Sequence, residues 1–337
     1  MVKHVIRGPY FEEFYNGQIF GAPAITVTSG LAAHYQAIIG DRLRLPLSNH
    51  LCQKTTGDKR GLVHPMLTIN IVNGQTTFAS QNVKGNLFYR GLILKQPVFV
   101  GDTLSTTTKV VALRQNRLKP GRDATGMVAL EIETKNQNGE VVVKYWRCPM
   151  IACKDPKVET SHDDSFDWIP ERLTDEELLN SLPEWEINAL SEEQINLPTP
   201  EYLAGDEISL IPQDSVTSAP ELVRITGNIA YAHTDSTKSY LGKRLVYGGH
   251  TISLAFAQIL RAFPDSITLI AWQKCDHLAP VLEEDIISSE IRISRKIPTD
   301  KGGFLYELHV ISKAARKQQG TVCQQDVLEW ELVLWSL

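Results

Sequence analysis

The amino-acid sequence predicts an α+β protein built from two tandem domains, each with one long central helix wrapped by an antiparallel sheet. Three observations support this prediction. The second half of the chain repeats the first at a constant offset, each half contains one apolar helical segment, and a run of strand-like segments follows each of them. Several strands in succession after one helix favour antiparallel pairing around that helix.

Two separate matches at one offset indicate an internal duplication. The segment "GLVHPMLTINIV" from Gly61 aligns with "RLVYGGHTISLA" from Arg244. At the same offset "QPVFVGDTLSTTTKVV" aligns with "APVLEEDIISSEIRIS", which places Asp102 opposite Asp285. The period is much longer than that of a solenoid repeat, so each copy is large enough to be a domain.

The central helix is clearest in the second half, in "GGHTISLAFAQILRAF". Its counterpart "HPMLTINIVNGQ" is rich in β-branched residues, and its composition alone would equally allow a strand. The repeat therefore decides for a helix in the first half. The apolar residues that fall on one face of the second-half helix are Ile252, Ala255, Phe256, Ile259, Leu260 and Phe263.

Three strand segments are predicted after each helix. They are "TLSTTTKVVAL", "GMVALEIET" and "VVVKYWRCPMI" in the first half, where Asn138-Gly139 marks a hairpin between the last two. In the second half they are "DIISSEIRIS", "GFLYELHVIS" and "TVCQQDVLEWELVLW". The period-two alternation in the last segment is carried by Leu328, Trp330, Leu332 and Leu334.

The halves correspond to predicted domains at 1–153 and 201–337. The stretch between them, 154–200, is acidic and punctuated by prolines, which is typical of a solvated connector. Within it Thr174 and Glu177 form a capping box that predicts a short helix in "DEELLNSL".

Composition limits the possible partners. The chain has 337 residues, of which 42% are hydrophobic and 22% charged, and a formal net charge of −5 with dispersed lysines and arginines. These values fit two globular domains and argue against a nucleic-acid partner. The longest uncharged run, Leu245 to Leu260, is shorter than the roughly 18 apolar residues that a membrane span needs. We therefore expect a soluble cytoplasmic protein with no membrane partner.

Neither a disulfide framework nor a metal site is expected. The five cysteines are odd in number and lack a C-x-x-C pair, so we predict buried, reduced thiols, and the nine histidines show no ligand spacing. The sequence also lacks the G-x-S-x-G, P-loop, H-E-x-x-H and G-x-G-x-x-G motifs. The cysteines are Cys52, Cys148, Cys153, Cys275 and Cys323.

One segment has the outline of a water-activating site. In "TGNIAYAH" the imidazole of His233 could accept a proton from a water that the amide of Asn228 orients. Shortly afterwards Gly248-Gly249 opens the long helix, where free N–H groups suit an oxygen that develops negative charge. The spacing alone leaves open a structural role for His233.

These residues resemble the hydratase 2 or MaoC-like family, hot-dog proteins that act on acyl-CoA thioesters. The family motif G-D-x-N-P-[LIV]-H is similar to "GNIAYAH", with Asn228 in the position of the catalytic aspartate and His233 in that of the catalytic histidine. The family's V-H-G is similar to "VYGG", so Gly248 takes the oxyanion-hole position and Tyr247 replaces a histidine. "GDTLSTTTKVVALRQN" and "RLVYGGHTISLA" resemble the mesaconyl-CoA hydratase (β-methylmalyl-CoA dehydratase) branch over nearly the whole chain.

The resemblance implies a double hot-dog fold and reversible hydration of a branched, carboxylated enoyl-CoA, mesaconyl-C1-CoA, to β-methylmalyl-CoA. It implies no metal or redox cofactor, because CoA is part of the substrate, and it allows a homodimer. Other acyl-CoA substrates remain open (trans-2-enoyl-CoA, mesaconyl-C4-CoA or itaconyl-CoA), as do a thioesterase and a non-catalytic acyl-CoA-binding protein. In the first half "IIGDRLRLPLSNH" has Ser48 where the histidine would be, so we expect one working site, in the second half.

The substrate suggests why an amide replaces the aspartate. In mesaconyl-C1-CoA the carbon that receives hydroxide carries a carboxylate, and a second carboxylate about 4 Å away would cost on the order of 4 kcal/mol at an effective dielectric near 20. Asn228 removes that repulsion. The substrate carboxylate also needs a cation, for which Arg224 is the first candidate, followed by Lys243 and Arg244. Gly249 is a second oxyanion-hole candidate, and Tyr247 and His250 are further substrate-binding candidates.

Overall fold

The computed structural model of the protein describes residues 3–192, 200–239, 241–318 and 320–337. Its strands fall into two sets separated by the middle of the chain. The strands are β1 (Ile19–Gly21), β2 (Ile25–Thr26), β3 (Val83–Leu94), β4 (Thr103–Gln115), β5 (Thr125–Lys135), β6 (Val141–Ala152), β7 (Glu207–Ser209), β8 (Asp214–Ser215), β9 (Ser266–His277), β10 (Ile286–Pro298), β11 (Phe304–Gln318) and β12 (Thr321–Ser336). The α-helices are α1 (Ser29–Ile39), α2 (Arg44–Leu47), α3 (Asn49–Thr56), α4 (Pro65–Gln75), α5 (Asp175–Asn180), α6 (Asn188–Glu192), α7 (Ala219–Ile225), α8 (Tyr231–Thr234) and α9 (Gly248–Ala262).

The long strands form one antiparallel sheet in the order β1-β4-β5-β6-β3-β9-β12-β11-β10-β7, with β2 on β4 and β8 on β10. All six predicted strand segments are present. The sequence prediction missed β3 and β9, and these two strands join the halves through pairs such as Leu92 with Trp272. From Ser266 to Gln273 every residue of β9 is buried. Both faces of this strand are covered, so it lacks the alternation on which the prediction relied.

The central helices α4 and α9 confirm the prediction for both halves. All residues of α4 are buried, and His64 and Pro65 start the helix, His64 as the N-cap. The middle of α4 contacts the N-terminal part of α9, where the side-chain amide of Asn70 donates to Oγ of Ser253 over 3.0 Å. A Cβ at Gly249 would overlap Oδ1 of Asn70, so a glycine is needed where the helices approach.

The aligned residues Asp102 and Asp285 make the same contacts in the two halves. Oδ2 of Asp102 accepts the backbone N–H of residue 99 over 2.8 Å, and Oδ2 of Asp285 accepts that of residue 282 over 2.9 Å. Each also pairs with an arginine at 2.6 Å, Asp102 with Arg60 and Asp285 with Arg316. The same buried turn is therefore built twice, as the duplication predicts.

The segment between the halves is more than a solvated connector. The predicted capping box forms, since Thr174 and Glu177 exchange side-chain to backbone hydrogen bonds at the start of α5. Apolar side chains of the segment pack in one cluster with residues of both halves, among them Leu51 of the first half and Trp335 of the second. Residues 193–199 of the predicted connector lie outside the described residues. The buried apolar side chains of the described part of this segment are Phe166, Ile169, Leu178, Leu182, Ile187 and Leu190.

The cysteines are free thiols, and the predicted burial holds for all but one of them. Cys323 is exposed, because it lies in the outer part of β12, where the side chains from Thr321 to Asp326 all face solvent. No helix within the described ranges is long and apolar enough to cross a membrane.

Candidate active site

A cleft of about 330 Å³ lies between the two halves, at the N-terminal end of α9. Its walls come from β3 and β6 on one side and from α8, α9 and β9 on the other. Because the two halves contribute different groups, neither half alone contains the whole site. The residues that bring polar groups or a helix terminus to it are Tyr89, Arg147, Asn228, His233, Gly248 and His277.

Asn228 is held by the turn that starts α8. Gly227 has φ of +66°, which ends α7 in the left-handed region, and the N–H of Asn228 donates to the carbonyl of Val223 over 3.0 Å. The side-chain Oδ1 of Asn228 accepts the N–H of Ala230 over 3.0 Å. This bond fixes the orientation of the nearly buried amide and leaves its NH₂ group as a donor for a molecule in the cleft.

His233 lines the cleft and holds one ring nitrogen in a hydrogen bond to the backbone. Its Nδ1 lies 2.9 Å from the carbonyl oxygen of Leu245, and a carbonyl only accepts, so Nδ1 carries the hydrogen. Nε2 then has the free lone pair. Burial lowers the pKa of His233 below its usual value, which keeps the ring neutral at neutral pH. The arrangement has the features of a general base.

Gly248 lines the cleft as the first residue of α9, and Gly249 does not. The first N–H groups of a helix have no carbonyl partner within the helix, and the helix dipole adds partial positive charge there. A Cβ at position 248 would overlap Cε1 and Nε2 of His277. The ring of His277 therefore lies against the helix terminus that was predicted to form the oxyanion hole.

His277 was missed by sequence reasoning. It ends β9, lines the same cleft, and its ring centroid lies 6.3 Å from that of Tyr89. Burial, with a smaller effect from His233, lowers the pKa of His277 to about 4, so its ring is a neutral hydrogen-bond donor at neutral pH. Its only sequence signal is its position two residues before "APV", which aligns with "QPV" in the first half.

Arg147 was also missed, because the sequence prediction looked for charges near the second-half motif. It lies in β6, its side chain is buried, and its Nη2 donates to Oγ of Ser80 over 2.5 Å. Its presence shows that the first half supplies the buried cation of the cleft.

The prediction that Arg224 binds the substrate is wrong. Its side chain is 73% exposed on the solvent side of α7, and Nη1 lies 4.0 Å from Glu221. Neither Lys243 nor Arg244 lines the cleft, and both are exposed. Sequence proximity to Asn228 misled the prediction, because α7 directs residue 224 away from the cleft.

Of the two further substrate-binding candidates, Tyr247 lines the cleft and His250 does not. Tyr247 is buried and has its ring centroid 5.6 Å from that of His233, which suits the predicted role in substrate binding. His250 is 0% exposed and lies off the cleft, and burial lowers its pKa to about 4. Its ring is therefore out of reach of a molecule in the cleft, which contradicts the predicted role in substrate binding.

The first half retains the turn but lacks the base. Oδ1 of Asp41 accepts the N–H of Leu43 over 2.7 Å, which repeats the Asn228 turn, and the short helix α2 begins three residues later, as α8 does. Pro46 therefore occupies the position of His233, and the alignment with Ser48 was wrong. Nε2 of His64 lies 2.8 Å from Oδ1 of Asp41, and both side chains are buried.

Two relatives match nearly the whole chain. The β-methylmalyl-CoA dehydratase of Chloroflexus aurantiacus is 33% identical over 311 residues, and the mesaconyl-CoA hydratase of Cereibacter sphaeroides is 27% identical over 310. Each match covers 88% of this chain and 86% of the relative. No protein-family model matches the sequence.

Solved structures identify the class of fold. A Mycobacterium tuberculosis protein with a double hot-dog fold is 37% identical, with a TM-score of 0.88 over 98% of this chain and 99% of that one. A structure described as a MaoC domain dehydratase from Chloroflexus aurantiacus is 28% identical, with a TM-score of 0.79 over 98% and 97% of the two chains. The protein is thus a double hot-dog hydro-lyase, as predicted. It belongs to the MaoC-like hydratase family.

Proposed function

We propose that the protein reversibly hydrates mesaconyl-C1-CoA, a branched and carboxylated enoyl-CoA, to β-methylmalyl-CoA. The observation that carries the proposal is one cleft in which the free Nε2 of His233 and the N-terminal end of α9 at Gly248 line the same space. The names of the two relatives support the choice of substrate, since both refer to this reaction or its reverse.

In the proposed hydration the NH₂ group of Asn228 orients a water, and Nε2 of His233 takes one of its protons. The water oxygen bonds to C3 of the acyl group while the electrons of the double bond move to the thioester oxygen. The N–H of Gly248 and the neutral ring of His277 donate hydrogen bonds to that oxygen. His233 then returns the proton to C2, so one water is added in total. The reverse sequence is dehydration, and neither direction uses a metal or redox cofactor.

We expect the purified protein to remove the enoyl-thioester absorbance of mesaconyl-C1-CoA and to form a product heavier by one water. Crotonyl-CoA, which has the same main-chain length but lacks both the carboxylate and the methyl branch, is the comparison substrate and is expected to react far more slowly. Turnover of crotonyl-CoA alone would rule out the carboxylated substrate. Release of free CoA thiol would indicate a thioesterase, and binding without turnover an acyl-CoA-binding protein.

An Asn228→Asp substitution is expected to slow hydration of mesaconyl-C1-CoA more than that of crotonyl-CoA. The aspartate can still accept the N–H of Ala230, so the turn is kept, but it replaces the NH₂ donor by a negative oxygen. With a carboxylated substrate the repulsion is on the order of 4 kcal/mol at about 4 Å. The measurement is kcat/KM for both substrates. An equal effect on both would contradict the repulsion argument.

A further inference from the structure

Arg147 is the buried charge of the cleft, and no carboxylate pairs with it among the described residues. Its side chain is 6% exposed, Nη2 donates to the neutral hydroxyl of Ser80, and Nε has no hydrogen-bond partner. Two other arginines with little solvent exposure lie near a carboxylate. Arg44 lies 3.8 Å from a carboxylate oxygen of Asp265, and Arg316 lies 2.6 Å from Asp285.

A buried guanidinium without an anion is unfavourable, because the solvation that it loses is not replaced. Two neutral neighbours, the hydroxyls of Ser80 and Tyr89, provide only part of that replacement. Since Arg147 lines the cleft, a bound molecule can supply the missing negative charge. The unpaired state therefore indicates an anionic ligand.

The rest of the cleft lining is consistent with an anion. Its charged residues within the described chain are Arg147 and Lys84, with no aspartate or glutamate among them. Lys84 is exposed at the rim, where solvent weakens its attraction for a ligand. Asn228 contributes a neutral NH₂ group at the position of the aspartate in the family motif. The cleft is thus lined by donors and lacks acidic groups that would repel a carboxylate.

We propose that Arg147, supported by Ser80, binds the free carboxylate of the acyl group and thereby selects carboxylated enoyl-CoA substrates. This inference rests on the proposed function. A guanidinium presents two parallel N–H groups to a carboxylate, a geometry that an ammonium group lacks. The first domain has lost the general base but, on this proposal, supplies the residue that determines specificity.

Binding of succinyl-CoA and butyryl-CoA tests the proposal without turnover. The two thioesters have the same chain length and the same CoA phosphates, and they differ in a terminal carboxylate against a methyl group. We expect Arg147→Met to weaken succinyl-CoA binding by about 100-fold, measured by calorimetry, because a buried charge pair loses one partner. Butyryl-CoA binding should change little. Arg224→Met, which removes an exposed arginine outside the cleft, is the matched control and should leave both affinities unchanged.

The possible results separate this inference from the proposed function. Equal weakening of both thioesters would mean that Arg147 binds CoA phosphate, and unchanged binding would mean a structural role; either overturns the inference. If the parent protein turns over mesaconyl-C1-CoA while Arg147→Met keeps the parent ratio of succinyl-CoA to butyryl-CoA affinity, the function stands and the inference fails. If the parent shows no turnover but its preference for succinyl-CoA depends on Arg147, the inference about Arg147 stands and the proposed function fails.

A conservative variant covers the case in which Arg147→Met does not fold. Arg147→Lys keeps the charge and loses the fork, so the preference for succinyl-CoA should fall by roughly tenfold, the value of one hydrogen bond to a charged group. Ser80→Ala should reduce the preference less, since Arg147 remains. An unchanged preference in Arg147→Lys and Ser80→Ala would overturn the proposal. Thermal unfolding of each variant identifies loss of structure.

Discussion

His233→Asn is expected to lower kcat for mesaconyl-C1-CoA by about 10² to 10⁴, the usual contribution of a general base. The substitution is chosen to keep the local structure. The asparagine amide can take over the Nδ1–H bond to the carbonyl of Leu245, whereas no group replaces Nε2. Succinyl-CoA binding should stay near that of the parent, because the loss concerns proton transfer. Steady-state kinetics and calorimetry measure the two effects separately.

A histidine control is available in the first half. His34 also contacts a backbone carbonyl through Nδ1, that of Gly30 at 2.9 Å, but it is exposed and lies off the cleft. His34→Asn should leave kcat unchanged. A His233→Asn protein that retains parent activity would show that another group takes the proton from water.

The pH profile of the parent protein gives a second test of His233. The base acts when neutral, and burial lowers its pKa below the ordinary value of 6.5. Activity should therefore be constant at neutral pH and fall only as the pH drops through that lowered pKa. The acidic limb should disappear from the residual activity of His233→Asn. If the acidic limb persists unchanged in His233→Asn, a different group causes it.

The residues that sequence reasoning placed correctly are those with a local signature. Asn228 and His233 lie in one turn and one short helix, so their spacing in the chain fixes their spacing in the fold. Helix α4 was predicted only through the repeat, because its β-branched residues would also suit a strand. Gly249 resembles Gly248 in sequence, yet it is set against α4 and not against the cleft.

The residues that were missed or misplaced depend on the contact between the halves. Arg147 and His277 come from β6 and β9, and they meet the motif only because β3 pairs with β9. The sequence of β9 does not alternate between apolar and polar residues, because the first part of this strand is covered on both faces. The pairing of β3 with β9 therefore could not be predicted from the pattern. Arg224 was chosen for its nearness in sequence, and the direction of its side chain on α7 could not be deduced without the packing of that helix.

Gly248→Ala is expected to lower kcat for mesaconyl-C1-CoA by about 10² to 10³, comparable to removing one oxyanion-hole donor. The added Cβ would overlap the ring of His277, so either this ring or the start of α9 must move away from the thioester oxygen. Alanine favours a helix more than glycine does, so a weaker helix would not explain the loss. Gly21→Ala adds a methyl group with no heavy atom nearby and should leave kcat unchanged.

A double variant distinguishes the proposed cause from general damage. If Gly248 and His277 form one oxyanion hole, His277→Ala alone should also slow the reaction, and Gly248→Ala with His277→Ala should be no slower than the worse single variant. Residues that act as a unit give such non-additive losses, whereas independent sites give losses that multiply. Multiplied losses, or a Gly248→Ala protein with parent kcat, would place the stabilisation of the thioester oxygen elsewhere in the cleft.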